Sequence, residues 1–301
     1  MPSLKTIRKR ITSVKSTQKI TRAMKMVAGA RLARAQQRIT ALRPYAMKTQ
    51  EMLEGIAAAK AAGGDEAAVD PRAHKLMARR PAKKALFLVL SSDRGLCGGF
   101  NANVVKLAER EWRAMEGAGV GVVFATVGKK AKEAIARKGG AILKDFPKLF
   151  DGLDLSKAKL VADSVSDLFL KAEVDAVYIY YTEFKSAITQ KPTMLQLLPL
   201  PQSAKPQVSG DAVAHSPYDY EPNEQSLLKR LIPMFIEISI YRALLDSQAS
   251  ELGARMTAMD AATRNAKEMI GRLTLVYNRA RQAAITKELM EIIGGAEALK
   301  E

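Results

Sequence analysis

The chain has 301 residues, with 48 Lys or Arg against 31 Asp or Glu, so its formal net charge is +17 and its pI is near 9.9. This excess favours an anionic partner such as nucleic acid, acidic protein or a membrane surface, although no apolar run is long enough to predict a transmembrane helix. The single cysteine, Cys97, excludes an intramolecular disulfide and a cysteine-rich zinc site, and the two histidines are too few for most catalytic clusters.

The first predicted element is a long helix that carries most of the excess charge. Positions 1–50 contain 13 Lys or Arg and no acidic residue. Apolar residues recur every three or four positions, the pattern of a coiled-coil seam rather than of a helix on a globule. This spacing continues well past the length of a targeting peptide, so we interpret the basic start as part of the fold. The seam positions are Leu4, Ile7, Ile11, Val14, Gln18, Thr21, Lys25, Ala28, Leu32, Ala35, Ile39, Leu42, Ala46, Thr49, Leu53 and Ile56.

A connector and a small α/β domain follow this helix. Residues 59–83 are rich in Gly, Pro and charge, which is typical of a connector. Apolar runs of strand length then alternate with helical stretches, which predicts a mostly parallel sheet covered on both faces. The runs are 85–92, 120–127, 174–182 and 193–200, and the helical stretches are 103–116, 129–138 and 156–171. We assign the domain to residues 84–200 and a second, Pro-rich connector to residues 201–222.

A second seam predicts another long helix over residues 223–301, opposite the first one over residues 1–58. Two apolar seams separated by one folded domain can be buried against each other only if their helices run antiparallel. Within the second helix, Gly253 and Gly271 each cost about 1 kcal/mol relative to Ala, and we interpret both as sites of close packing. The seam positions are Leu228, Leu231, Phe235, Ile238, Arg242, Leu245, Ala249, Leu252, Met256, Met259, Thr263, Ala266, Ile270, Leu273, Tyr277, Ala280 and Ala284.

The glycine-rich segment 91–101, SSDRGLCGGFN, follows a predicted strand and precedes a predicted helix. That placement suits phosphate binding by backbone N–H groups. However, the segment matches neither GxxxxGK[ST] nor GxGxxG, and it lacks the lysine that would reach a phosphate. We favour a tight turn with positive φ, with a nucleotide-binding enzyme using Gly95–Gly99 as an alternative.

The basic first helix leaves two kinds of partner open. An acidic protein is favoured, because no aromatic residue that could stack on a base occurs before Tyr45. A free-standing coiled coil that binds nucleic acid is the alternative. Since no Ser/His/Asp or Cys/His arrangement can be assembled, we predict no catalytic residue, no cofactor and no metal site.

Five blocks of sequence lie in order along nearly the whole chain. They are residues 4–28, SSDRGLCGGFN at 91–101, RMTAMDAAT at 255–263, YNRARQ at 277–282 and ITKELMEIIGGA at 285–296. These blocks resemble the γ subunit of F-type ATP synthases. The resemblance implies an α/β fold class in which a long antiparallel coiled coil of N- and C-terminal helices adjoins a Rossmann-like α/β domain with a mostly parallel sheet.

The resemblance also implies a function and partners. The end helices would thread a ring of catalytic (β) and non-catalytic (α) subunits, and the α/β domain would contact an ε-type subunit and the membrane c-ring. The chain would be a non-catalytic rotor shaft that couples proton flow to ATP synthesis and hydrolysis, without nucleic acid. It would be attached to the cytoplasmic side of a bacterial inner membrane rather than to a mitochondrial membrane.

Individual residues can be carried over from the family in the same way. The implied contacts with the catalytic subunit are Met24, Lys25, Arg255, Arg281, Gln282 and Thr286. The first two would face an acidic lever loop, the last three would lie where loops grip the upper shaft, and Arg255 would lie lower down.

Overall fold

A computed structural model describes residues 3–61, 75–77, 80–200 and 224–298, so the predicted connector 201–222 and most of the connector 59–83 lie outside the described residues. Contacts divide the chain into two compact units, residues 1–30 with 255–301 and residues 31–254, and this division passes through both long helices. The elements in chain order are α1 (Leu4–Ala61), β1 (Lys84–Leu90), α2 (Phe100–Gly117), β2 (Gly121–Val127), α3 (Lys129–Arg137), β3 (Ile142–Phe146), α4 (Leu155–Leu170), β4 (Ala176–Phe184), β5 (Gln190–Leu198) and α5 (Glu224–Ala298).

The larger unit contains a five-stranded sheet of order β3-β2-β1-β4-β5. Strand β1 pairs in parallel with β2 and β4, β2 pairs in parallel with β3, and β5 runs antiparallel to β4. The predicted mostly parallel sheet is therefore confirmed. The apolar runs did not indicate β3, because this edge strand has the sequence ILKDF and is half open to solvent.

Helices cover both faces of this sheet. On one face α2 and α3 enclose an aromatic cluster in which the ring of Phe87 lies 4.6 Å from that of Tyr180 and 5.7 Å from that of Phe124. On the other face, α4 packs beside the part of α5 between Leu231 and Leu245. The long helix α5 therefore supplies part of the core of the α/β domain.

The glycine-rich segment forms the predicted tight turn between β1 and α2. Leu96 and Gly98 have φ values of 65° and 56°, which confirms the expected positive φ. The Asn101 side chain closes the turn, since its Oδ1 accepts a 2.9 Å hydrogen bond from the N–H of Ser92 and its Nδ2 donates a 2.9 Å bond to Ser92 Oγ.

The carboxyl ends of β1 and β4 form the switch point at which open α/β sheets usually bind ligands. In this chain α5 lies against that position. Ser247 Oγ accepts a 3.3 Å hydrogen bond from the N–H of Thr182, and Ser250 Oγ donates a 3.0 Å bond to the carbonyl of Thr182. Ala254 packs against Cys97 in the glycine-rich turn. Because the protein's own helix lies where a nucleotide would bind, the geometry does not support the nucleotide-binding alternative.

The two glycines of α5 have different surroundings. A Cβ atom at Gly253 would lie 3.3 Å from the Cα of Ala187, so close packing is confirmed there, although against the turn after β4. At Gly271, no described atom beyond the neighbouring backbone of the helix lies within 4 Å of an added Cβ. The prediction of close packing at Gly271 is therefore wrong.

These surroundings predict opposite effects of one substitution. Gly271→Ala should raise the free energy of unfolding by about 1 kcal/mol, because alanine restricts the unfolded chain more and favours the helix. Gly253→Ala should lower it, because the added methyl group must displace backbone atoms. Thermal unfolding followed by circular dichroism measures both, and each variant is the control for the other. Destabilisation of equal size in both would contradict the prediction.

Candidate functional site: the helix pair of residues 3–30 and 255–298

The smaller unit is formed by the start of α1 and the second half of α5, and the two segments run antiparallel. Thr21 Oγ1 lies 2.8 Å from Thr263 Oγ1, and Lys25 Nζ lies 2.5 Å from Asp260 Oδ1. Residue numbers therefore rise along one segment while they fall along the other. This confirms the predicted direction of the coiled coil.

The predicted seam agrees with the observed burial in this unit. Every seam position between residues 4 and 28, and between 256 and 284, is buried or half-buried. The most buried of them carry mainly small or unbranched side chains, which allow two helices to approach closely. They are Ile7, Thr21, Ala28, Met259 and Ala266.

The side of α1 that faces away from the seam is basic. Its Lys and Arg side chains are exposed, and they form no ion pair with any residue that the structure describes. No carboxylate occurs on α1 before Glu51, so nothing on the same helix segment neutralises this charge. These residues are Lys5, Arg8, Lys9, Arg10, Lys15, Lys19 and Arg22.

Three of the residues implied by the resemblance lie along the paired part of the unit. Met24, Lys25 and Arg255 are half-buried. Lys25 forms its ion pair with Asp260 while 44% of its side chain remains exposed, and Arg264 approaches the second carboxylate oxygen at 3.3 Å. The hydrogen bond from Lys25 holds the pKa of Asp260 below its usual value. Asp260 is thus an internal partner of Lys25 that the sequence did not reveal.

The other three implied residues, Arg281, Gln282 and Thr286, are exposed on the last part of α5. If the observed register and the equal rise of two α-helices are continued, Leu4 lies opposite about residue 280. The last part of α5 therefore extends past the start of α1, and Arg281, Gln282 and Thr286 all lie in this extension.

Several large apolar side chains of this extension are exposed. Their exposed fractions lie between 49% and 70%. Sequence reasoning followed the seam only to Ala284 and missed this surface, although the apolar pattern of ITKELMEII already continues past the partner helix. A run of exposed apolar side chains is typical of a surface that another protein covers. The residues are Ile285, Leu289, Met290, Ile292 and Ile293.

Among the residues that the structure describes, no helix is both long and apolar enough to cross a membrane. The same residues contain no group of three or more His, Cys, Asp or Glu side chains arranged to hold a metal ion.

Comparison with known proteins finds relatives that match nearly the full length of the chain. The model of a family described as ATP synthase matches residues 3–299. The ATP synthase gamma chain of Sorangium cellulosum is 53% identical, and that of Anaeromyxobacter sp. (strain Fw109-5) is 48% identical, with 100% of both chains covered in each case.

Solved structures have the same fold. A chain of the central stalk/c-ring structure of Tetrahymena thermophila mitochondrial ATP synthase matches with a TM-score of 0.60 and 26% identity, over 81% of this chain and 99% of that one. A chain of Euglena gracilis mitochondrial ATP synthase matches with a TM-score of 0.68 and 18% identity, over 98% of this chain and 94% of that one. From the full-length family match and the 53% identity to a named relative, the chain belongs to the ATP synthase γ-chain family.

Proposed function

We propose that this chain is the central-stalk subunit of a proton-translocating ATP synthase. It has no catalytic role of its own and acts as the rotor shaft that couples proton flow through a membrane ring to ATP synthesis and hydrolysis at other subunits. The observation that carries this proposal is the helix pair. Its two seams are buried against each other, whereas its basic side and its apolar end are exposed within the unit. Such a surface suits partners that surround it.

The partners follow from the family and from the structural neighbours. They are the catalytic (β) and non-catalytic (α) subunits of the F1 ring, an ε-type subunit and the membrane c-ring. The Tetrahymena structure is described as central stalk/c-ring, and the Euglena structure as OSCP/F1/c-ring, which supports this set. Because the named relatives are bacterial, the complex would be attached to the cytoplasmic side of the inner membrane, where it takes part in ion transport.

The chemistry of the helix pair suits rotation inside a ring. Attraction between charges acts over several ångströms and has no fixed direction, so a basic helix can move past acidic loops without breaking a fixed set of hydrogen bonds. The packed seam resists deformation and can transmit torque within the pair. Each orientation of the shaft must contact the conformations of the catalytic subunits unequally, because only unequal contact shifts their equilibrium.

Specific contacts with the catalytic subunit are part of the proposal. Met24 and Lys25 would meet an acidic lever loop, and Arg255 would lie lower down the shaft. The contacts on the unpaired end of α5 would meet loops around the upper shaft. The exposed part of the Lys25 side chain, whose charge is shared with Asp260, would face the lever loop. The proposed contact residues are Met24, Lys25, Arg255, Arg281, Gln282 and Thr286.

Reversing two of the basic charges tests this function. Arg22→Glu combined with Lys25→Glu should weaken the coupling between ATP turnover and proton movement. The acidic lever loop of the catalytic subunit would then meet acidic side chains and be repelled. Folding should be weakened less than coupling, because the lost ion pair is partly exposed, although the new carboxylate at position 25 would lie near Asp260. The measurement is ATP-driven proton uptake relative to ATP hydrolysis in inverted membrane vesicles, with thermal unfolding of the isolated chain alongside.

A charge swap separates the internal ion pair from the external contact. Lys25→Glu with Asp260→Lys keeps an ion pair of reversed polarity between the two helices while it removes the positive charge of Lys25. Coupling should remain reduced in this variant. Normal coupling in the Arg22/Lys25 variant, or full recovery in the swap, would count against the proposed contact.

The alternative of a free-standing nucleic-acid-binding coiled coil predicts a different result. Purification of the tagged chain at moderate salt should retain an ATPase hexamer if the proposal is right. Steeply salt-dependent binding to duplex DNA, with no hexamer retained, would favour the alternative.

A further inference from the structure

The larger unit contains a cavity of about 400 Å³ between α1, the end of β4 and α5. Apolar side chains of the two helices form part of its wall. Five of the other lining residues are charged, and they come from all three elements. They are Arg43 on α1, Glu183 and Lys185 at the end of β4, and Arg242 and Asp246 on α5.

Asp246 is the most unusual of these residues. It is only 5% exposed, and it forms no hydrogen bond or ion pair with any residue that the structure describes. Burial removes most of the water that would stabilise a carboxylate, and no N–H or O–H group of a described residue replaces it. A side chain in such a place is stable only when it is neutral or when a cation moves to it.

Suitable cations line the same cavity. Arg43 and Arg242 are exposed, and neither forms a hydrogen bond or ion pair with a described residue. By contrast, Lys185 is already engaged, because its Nζ lies 2.6 Å from Glu183 Oε1. Arg242 lies four residues before Asp246 on α5 and lowers the pKa of its carboxyl more than Arg43 does, so the two arginines compete for the carboxylate. Pairing with Arg242 would join no separate elements. Arg43 belongs to α1, so pairing with it would join α1 to α5.

We propose that Asp246 is a proton-controlled switch that joins α1 to α5 through Arg43. In the structure Asp246 forms no ion pair with either guanidinium group, which is the arrangement expected for the neutral carboxylic acid. When the acid releases its proton to water, the carboxylate attracts the guanidinium of Arg43 into the cavity, where the open volume gives this long side chain room to move. Uptake of a proton releases Arg43 again. The switch needs no partner subunit, so its test is independent of the proposed function.

The pH range of the switch follows from the surroundings of Asp246. Burial raises the pKa of its carboxyl to about 6, Arg242 opposes this rise, and Glu183 adds to it. Because this pKa lies above the ordinary value of 3.8, the neutral form stabilises the fold at low pH, and that contribution is lost as the pH rises through about 6. The ion pair with Arg43 would then offset part of the loss. The charged or titratable groups around Asp246 are Arg43 from α1, Tyr181, Glu183 and Lys185 from β4 and its end, and Arg242 from α5.

A titration of the full-length chain by nuclear magnetic resonance tests the switch. The carboxyl ¹³C signal of Asp246, identified by its loss in Asp246→Asn, should titrate with a midpoint between about pH 4.5 and pH 6, because burial raises the pKa to about 6 and pairing with Arg43 lowers it again. The guanidinium ¹⁵Nε signal of Arg43 should shift with the same midpoint. In Asp246→Asn that shift of the Arg43 signal should disappear, because the amide cannot ionise.

A matched control is Asp163→Asn, which changes an exposed aspartate on α4 and should leave both titrations unchanged. The wild-type titration alone keeps the proposal falsifiable if a variant folds poorly. A midpoint for Asp246 below pH 4.5 would overturn the proposal. So would an Arg43 signal that titrates unchanged in Asp246→Asn, or one that does not titrate in the wild type between pH 5 and pH 8.

Discussion

Replacing Gly128 with alanine is expected to lower the stability of the α/β domain strongly. Gly128 directly follows β2 with a φ of 85°, a conformation that costs energy for any residue with a Cβ atom. The added methyl group would also overlap the carbonyl oxygen of Ser91, which directly follows the neighbouring strand β1. Because the atoms that the methyl group would meet belong to the backbone, no side chain can move aside to relieve the overlap.

The position is also tied into the hydrogen bonding of the sheet. Ser91 is fully buried, its N–H donates a 2.8 Å bond to the carbonyl of Val127, and its Oγ donates a 3.1 Å bond to the same oxygen. Relief of the overlap must therefore break these bonds or separate β1 from β2. Strain and lost packing together predict a loss of at least about 3 kcal/mol in the free energy of unfolding.

Urea unfolding followed by the fluorescence of Trp112 measures this effect. Trp112 is the single tryptophan, and its ring packs 5.0 Å from that of Phe124 in the domain. Gly139→Ala is the matched control, because Gly139 has a similar φ of 78° but nothing within 4 Å of an added Cβ. The control should lose only about 1 kcal/mol, the cost of the positive φ alone. Equal losses in the two variants would show that the overlap with Ser91 is not real.

The second large effect is expected for Ala266→Pro in the helix pair. Ala266 lies in the seam and is 7% exposed. Proline removes one backbone hydrogen bond and places its ring against the preceding turn, which costs about 3 kcal/mol or more inside a helix. The bend should also disturb the contact between Thr21 and Thr263, less than one helical turn away along α5.

Two measurements together test this result. Thermal unfolding reports stability, and disulfide formation in a Thr21→Cys, Thr263→Cys background reports the contact between the helices. Lys5→Pro is the control, because the first turn of a helix tolerates proline. Unchanged unfolding and undiminished cross-linking in Ala266→Pro would mean that this segment is not a continuous helix paired with α1.

The regular elements could be predicted because their signals are local. Thr21, Ala28, Met259 and Ala266 repeat with the period of a helix pair, and the burial of each is confirmed. The edge strand β3 was missed for the opposite reason. An edge strand that is half open to solvent needs no continuous apolar run, so its charged side chains hid it from a search for such runs.

Details of the sites depend on longer-range geometry. Periodicity defines which side of each helix is buried but not the register between helices, so the pairing of Lys25 with Asp260 could not be foreseen. The seam also included Arg242, which is exposed, and it omitted Asp246, which is buried. That part of the prediction is wrong because α5 packs there against the sheet as well as against α1, which changes the face that is covered.

The shared core of the α/β domain has a consequence for protein synthesis. The face of the sheet that includes Leu88 and Ile179 is covered partly by the stretch of α5 from Leu231 to Leu245. A ribosome synthesises all five strands before it makes that stretch, so this apolar face of the nascent sheet stays partly exposed until the stretch has been made. Chaperones that hold nascent chains should therefore engage this interval of translation, and release should follow once the missing stretch of α5 emerges.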